Sequence, residues 1–179
     1  MNTYFNKRRQ ETIQRIRAAF LEQLYERELS QINVSQLCKR ADINRGTFYA
    51  NFDDIYHLAD HVLQQLEQEV GALLERDIQK AYSEADFLKL FEHIRKNQAL
   101  YQAYFKLGND RFKSSSLFSI PFEGSQTEQD LLDLHITFFA SGFNGMVKKW
   151  LENDCKQTPE QMLSILIREY QGRLGWRLP

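Results

Sequence analysis

Between Asn33 and Phe52 the sequence writes two helices too short to stand alone, and this segment constrains the fold more than any other. Asn33 heads a brief helix from Val34 to Ala41, with Gln36 three residues on as in a capping box. Asp42-Ile43 breaks the pattern. Aspartate is one of the few residues besides glycine that tolerates a left-handed backbone, so a tight turn is expected there. Asn44 then heads a second short helix through Arg45-Gly-Thr-Phe-Tyr-Ala-Asn51. Helices this short are marginal in water and need a brace. Leu37, Ala41, Ile43 and Phe48 are the apolar positions that can lock the pair onto a third helix. The stretch from about Lys7 to Arg27, with Ile13, Ile16, Phe20 and Leu24 at helical spacing, supplies it.

The remainder is also helical in pattern. Phe52 ends the second short helix, and Asp53 or Asp54 opens a long one through about Tyr82, with Leu58, Val62, Leu66, Val70, Leu73 and Ile78 on one face. Ser83 starts a helix carrying Phe87, Leu90, Phe91 and Ile94, and another lies near Gln98 to Leu107. Gly108 to Gln126 has no periodic pattern. Thr127 to Asp154 reads as one long helix, and Thr158-Pro159-Glu160-Gln161 signals the start of a last one running to about Leu174. No stretch alternates with period two. The expected fold is all-α: an N-terminal three-helix helix-turn-helix domain over residues 1–52, joined by a long helix to a helical ligand-binding and dimerisation domain within 53–179.

Composition narrows the function classes. Thirteen Phe, eight Tyr and two Trp give ample surface to bury, and only three Pro and eight Gly argue against a many-turned β chain. No apolar run is long enough for a membrane span, and the basic N-terminus leads into no apolar core, so neither a membrane partner nor a secretory signal is expected. Cys38 and Cys155 form no framework and read as reduced thiols, consistent with a cytoplasmic protein. His57 and His61 stand four residues apart on the long helix, but no third ligand is near in sequence. Gly-rich phosphate loops, nucleophile elbows and clustered carboxylates are likewise missing from the pattern. The expectation is no enzyme, no metal and no cofactor.

The formal net charge of −1 conceals an asymmetry. Residues 1–52 hold nine Lys or Arg against five acids, and the other 127 residues hold 14 basic against 19 acidic groups. A basic head on an acidic body points the head at a polyanion, although solvated helix faces would carry the same charges. Two short helices joined by a tight turn fit one use well: the first braces the second, which lies in the DNA major groove. Arg45 can fork onto guanine or phosphate, Gly46 permits close approach of the backbone, and Thr47 can offer its methyl to thymine. Tyr49 and Asn51 suit phosphate contacts, as do Asn33, Val34, Ser35 and Asn44 through the amides that open the short helices. Lys7, Arg8 and Arg9 are candidates for an arm along the backbone.

The run Ala41-Asp42-Ile43-Asn44-Arg45-Gly46-Thr47-Phe48-Tyr49-Ala50-Asn51-Phe52 resembles the DNA-binding domain of the TetR/AcrR family of bacterial transcriptional regulators. The resemblance covers about residues 7–70, with the rest similar in architecture. Phe138 to Gln161 resembles the dimerising end of one small-regulator subgroup. Three positions depart from the family pattern: Asp42 stands where glycine is usual, Asn51 where histidine is usual, and Ile55 near the usual place of a lysine that touches the DNA backbone. The resemblance implies a regulator, most simply a repressor, that binds a palindromic operator in double-stranded DNA as a homodimer. The missing lysine keeps open a second reading, an adaptor or co-activator that works through a protein partner with little DNA binding.

In the body, Leu131, His135, Phe138, Gly142 and Met146 form one row on the long helix, and Leu132, Phe139, Phe143, Val147 and Trp150 form another. A helix apolar on two sides is sandwiched, and a second copy of the chain can cover one side. The expected dimer contacts are Gly142, Phe143, Met146, Trp150, Met162, Ile165 and Leu166. A small-molecule effector, as the resemblance implies, is expected among Phe91, Tyr101, Tyr104, Phe105, Phe118, His135, Phe138 and Phe139. Plain core packing explains the same aromatics.

Overall fold

A computed structural model describes residues 3–73, 83–107 and 125–174. It is all-α, with no strand among the described residues: α1 (Thr3–Glu26), a single 3₁₀ turn (Leu29–Gln31), α2 (Val34–Arg40), α3 (Arg45–Tyr49), α4 (Ile55–Leu73), α5 (Glu84–Lys96), α6 (Gln98–Lys106), α7 (Gln126–Glu152) and α8 (Pro159–Leu174). Among these residues, no helix is long and apolar enough to cross a membrane. The expected end of the fourth helix and the patternless stretch from Gly108 fall mostly outside the described residues.

Two compact units separate. The first lies within Met1–Gln68 and takes in Gln102–Leu107; the second lies within Glu69–Tyr101 and Gly108–Pro179. In the first, α1 packs on α2 and α2 on α3. Ile16, Phe20 and Leu24 of α1, Leu37, Cys38 and Ala41 around α2, and Phe48 of α3 are all buried, as are Phe52, Leu58, Val62 and Leu66. The rings of Phe48 and Phe52 lie 5.8 Å apart. Phe48 is fully enclosed, so it pins a five-residue helix that propensity alone could not hold. Lys106 of α6 reaches Glu28 at 3.5 Å within the same unit.

The second unit is built on aromatics. Phe87 sits 6.1 Å from Phe139 and 6.0 Å from Phe143, and Phe91 sits 5.7 Å from Phe143 and 5.8 Å, edge-on, from Trp150. Offset and edge-to-face geometry of this kind suits the ring quadrupoles. The indole of Trp150 donates to the Gln157 carbonyl at 3.1 Å. Asp154 and Cys155 take left-handed backbone (φ 52° and 48°) to turn the chain between α7 and α8. Thr158 and Gln161 then cap α8 reciprocally, at 2.8 and 3.3 Å, the arrangement that their spacing announces. Ser83 and Asp86 do the same for α5.

Candidate nucleic-acid interface

The turn between α2 and α3 is the element on which the interface depends. Asp42 has φ 51°, the left-handed conformation expected there. Its cost is offset from α1: the Arg15 guanidinium donates to the Ala41 carbonyl at 3.0 and 2.8 Å and to the Asp42 carbonyl, and stands 3.7 Å from the Asp42 carboxylate. Three acceptors on one planar fork hold a residue that would otherwise prefer glycine. This clasp has no local signature in the sequence.

Both short helices are capped by their asparagines. The Asn33 side chain accepts from the Gln36 amide at 2.9 Å. The reciprocal half of that capping box is not made, because the Gln36 amide oxygen accepts instead from Arg27 at 2.8 Å. The Asn44 oxygen accepts twice, from the Thr47 backbone amide at 2.7 Å and the Thr47 hydroxyl at 2.9 Å. These caps occupy the two asparagine side chains, leaving Val34 half-buried and Ser35 exposed at the start of α2. A Cβ placed on Gly46 would lie 3.3 Å from the Asn44 oxygen, so its small size serves the cap as well as the open outer face.

The outer face of α3 is polar. Arg45 and Gly46 are exposed, Thr47 is half-buried, and Tyr49 is 49% exposed. Arg45 lies across the Tyr49 ring, its Cζ 5.9 Å from the ring centre and one terminal nitrogen 3.5 Å from the hydroxyl. A cation over an aromatic face, four residues apart on a helix, presents the pair as one preformed contact. Lys7 and Arg8 are exposed on α1. Asn51 is half-buried, and its amide is engaged at both ends, donating to the Thr47 carbonyl at 2.8 Å and accepting from Arg9 at 3.1 Å. Ile55, at the usual place of a lysine, is a core residue, 6% exposed. Asp54 caps α4 through the His57 amide at 2.7 Å, while Asp53 pairs with the His57 ring at 3.1 Å. Burial pushes the Cys38 thiol above its ordinary value, which fits a protonated packing residue.

The predicted effector and dimer residues are dispersed. Phe91, Tyr101 and Phe139 are buried in the second unit, Tyr104 and Phe105 belong to the first, and Phe118 lies outside the described residues. His135 is half-buried, and Phe138 is 76% exposed although its neighbour Phe139 is buried. Of the predicted dimer contacts, Phe143, Trp150, Met162 and Leu166 are buried within the second unit. Gly142, Met146 and Ile165 reach the surface, together with Leu131, which the sequence places in the same row as Gly142 and Met146, and Leu134, which it places in neither row. The residues of the second unit most readily overlooked in the sequence are polar. His93 Nδ1 lies 2.9 Å from the Tyr101 hydroxyl, and its Nε2 lies 3.8 Å from Glu69. Burial, then the nearby Glu69 charge, raises the Tyr101 hydroxyl well above its ordinary value.

A short helix fixed by a neighbour, polar on its outer face and preceded by a tight turn, defines the first unit as a helix-turn-helix head. The profile of a TetR-type transcriptional regulator C-terminal region matches residues 82–170. Among solved structures, the chain is similar in fold to the fatty acid degradation regulator FadR from Bacillus halodurans, with 16% identity, a TM-score of 0.62, and 93% of this chain and 97% of that one covered. It is also similar to the dihydroxyacetone kinase operon activator DhaS, with 18% identity, a TM-score of 0.54, and coverage of 92% and 96%. No curated protein matches by sequence. The chain belongs to the TetR-like family of transcriptional regulators.

Proposed function

We propose that the protein is a homodimeric DNA-binding regulator, most simply a repressor, that sets α3 of each copy into the major groove of a palindromic operator. The observation that carries this reading is the outer face of α3, where Arg45, Gly46, Thr47 and Tyr49 stand outward on a helix whose one large apolar side chain, Phe48, is fully enclosed. Arg45 and Tyr49 contact base edges or phosphate together, and Lys7 and Arg8 lie along the backbone. Two heads on one dimer would reach half-sites about 34–36 Å apart or a multiple of that.

Leu131, Leu134 and Phe138 are 62%, 68% and 76% exposed on one stripe of α7, with the small residues Gly142 and Gly145 continuing it. An apolar stripe of this size, on a helix that already buries Phe139, Phe143, Val147 and Trp150 on another face, supports a second copy as its cover. Phe138→Glu should yield a folded monomer in light scattering; a variant that stays dimeric removes this stripe from the interface. The aromatic content of the second unit, with Tyr101 and His93 as polar handles, supports a small apolar effector bound within it. Its role is to favour one spacing of the heads over another.

The second reading, an adaptor acting through a protein partner, is favoured by buried Ile55 at the head of α4, beside the exposed acids Asp53 and Asp54. A salt series of binding to random-sequence duplex DNA separates the two. Counterion release demands a steep loss of affinity with added salt, and flat, negligible binding would favour the adaptor.

A further inference from the structure

Nine basic residues fall in the first 52, and the structure sorts them by what they touch. Arg15 clasps the turn, and Arg27 and Arg40 pair with Glu26, at 3.5 and 3.1 Å. Arg9 is different. It is exposed and pairs with no carboxylate among the described residues, yet its Nε donates to the Asn51 oxygen at 3.1 Å, across 42 residues of sequence. Asn51 is oriented from its other end, where Nδ2 donates to the Thr47 carbonyl at 2.8 Å. Only an amide turned this way can meet a carbonyl at one end and a guanidinium at the other.

We propose that Arg9, held by Asn51 against the end of α3, is a DNA-phosphate contact locked in register with the recognition helix. The inference rests on the DNA-binding reading and deepens it. The hydrogen bond uses one N–H of the guanidinium and leaves its two terminal nitrogens, the pair that matches two phosphate oxygens. An exposed hydrogen bond of this kind adds little to folding stability. Its effect lies in binding, because a side chain already fixed loses less freedom when it meets the phosphate. The same bond ties α1 to the residue just beyond α3, so a phosphate on Arg9 and a base edge on Arg45 are read at a set distance. Asn51 is thereby a positioning residue, with its own amide spent on Thr47 and Arg9.

The test is anisotropy of a labelled random-sequence duplex against the full-length protein across a potassium chloride series. Arg9→Ala should lower the slope of log affinity against log salt by about 0.9, the value of one phosphate contact, and weaken binding several-fold. Arg9→Lys should keep the slope while losing affinity, since it keeps the charge but not the fork. Asn51→Ala should weaken binding at unchanged slope, and should have no further effect once Arg9 is alanine. Circular dichroism should match wild type throughout, and Arg9→Gln replaces any variant that does not fold. An unchanged slope in Arg9→Ala or Arg9→Gln overturns the inference, as does an Asn51→Ala loss that persists in the Arg9→Ala background. A wild-type protein without salt-dependent binding overturns the DNA-binding reading itself, and this contact with it.

Discussion

The Asn44 cap offers the sharpest test of how α3 is held. Asn44→Ala removes an acceptor that serves both the backbone amide and the hydroxyl of Thr47, at 2.7 and 2.9 Å. Loss of an N-cap of this type costs about 1 kcal/mol. For a unit the size of this head, that corresponds to a midpoint lower by about 4–8 °C. Asn44→Asp keeps the acceptor and should unfold like wild type, while weakening DNA binding through its charge. Gly46 makes the argument quantitative. Glycine to alanine inside a helix gains about 1 kcal/mol from propensity alone. With Asn44 present, however, the new Cβ would sit 3.3 Å from the capping oxygen and press it a few tenths of an ångström off its cap position. Gly46→Ala should therefore be nearly neutral in the wild-type chain and stabilising by about 1 kcal/mol in the Asn44→Ala background. Urea unfolding followed by circular dichroism reads all four corners of this cycle. Additive effects would refute the reasoning, since they would mean that the cap and the glycine do not share that space.

Three other outcomes follow from the packing. Arg15→Ala should destabilise the head by about 1–2 kcal/mol, as charge-assisted hydrogen bonds to the turn are lost, and Asp42→Gly should recover part of that in urea unfolding. Trp150→Ala should cost about 3–5 kcal/mol in the second unit by leaving a cavity beside Phe91 and freeing the Gln157 carbonyl. Burial, then the neighbouring His57 and Arg17, holds His61 below the ordinary imidazole range. The unfolded chain therefore takes up that proton first. Stability should be unaffected by this group above about pH 6.5 and fall as pH drops below it, until the folded protein is protonated too. His61→Leu should shallow that decline in a pH series of melting temperatures.

Much of the architecture was legible because it is written locally. The left-handed Asp42, the two asparagine caps, the Thr158–Gln161 box and the enclosed Phe48 all follow from residue type and short spacing. What was not legible depends on partners far apart in sequence. Arg15 on the Ala41–Asp42 turn and Arg9 on Asn51 join residues 26 or more positions apart, and nothing in their spacing announces it. Gln36 satisfied half of a capping rule, and Arg27 took the other half. In α7, periodicity correctly implied two apolar faces but not which one turns inward. Phe139, Phe143 and Trp150 go to the core, and Leu131, Leu134 and Phe138 face outward. The aromatic-rich second half equally concealed the Glu69, His93 and Tyr101 group, since a lone histidine on a helix carries no spacing signal.

The claim on which the rest depends is that α3 reads DNA. Its most direct test is selection of bound fragments from random genomic DNA by the wild-type protein, followed by binding of the selected sequence to an Arg45→Ala, Tyr49→Ala double variant. The account predicts that the wild type enriches a palindrome and that the double variant, with unchanged helicity and oligomeric state, loses it. Equal binding of that palindrome by both proteins would contradict it.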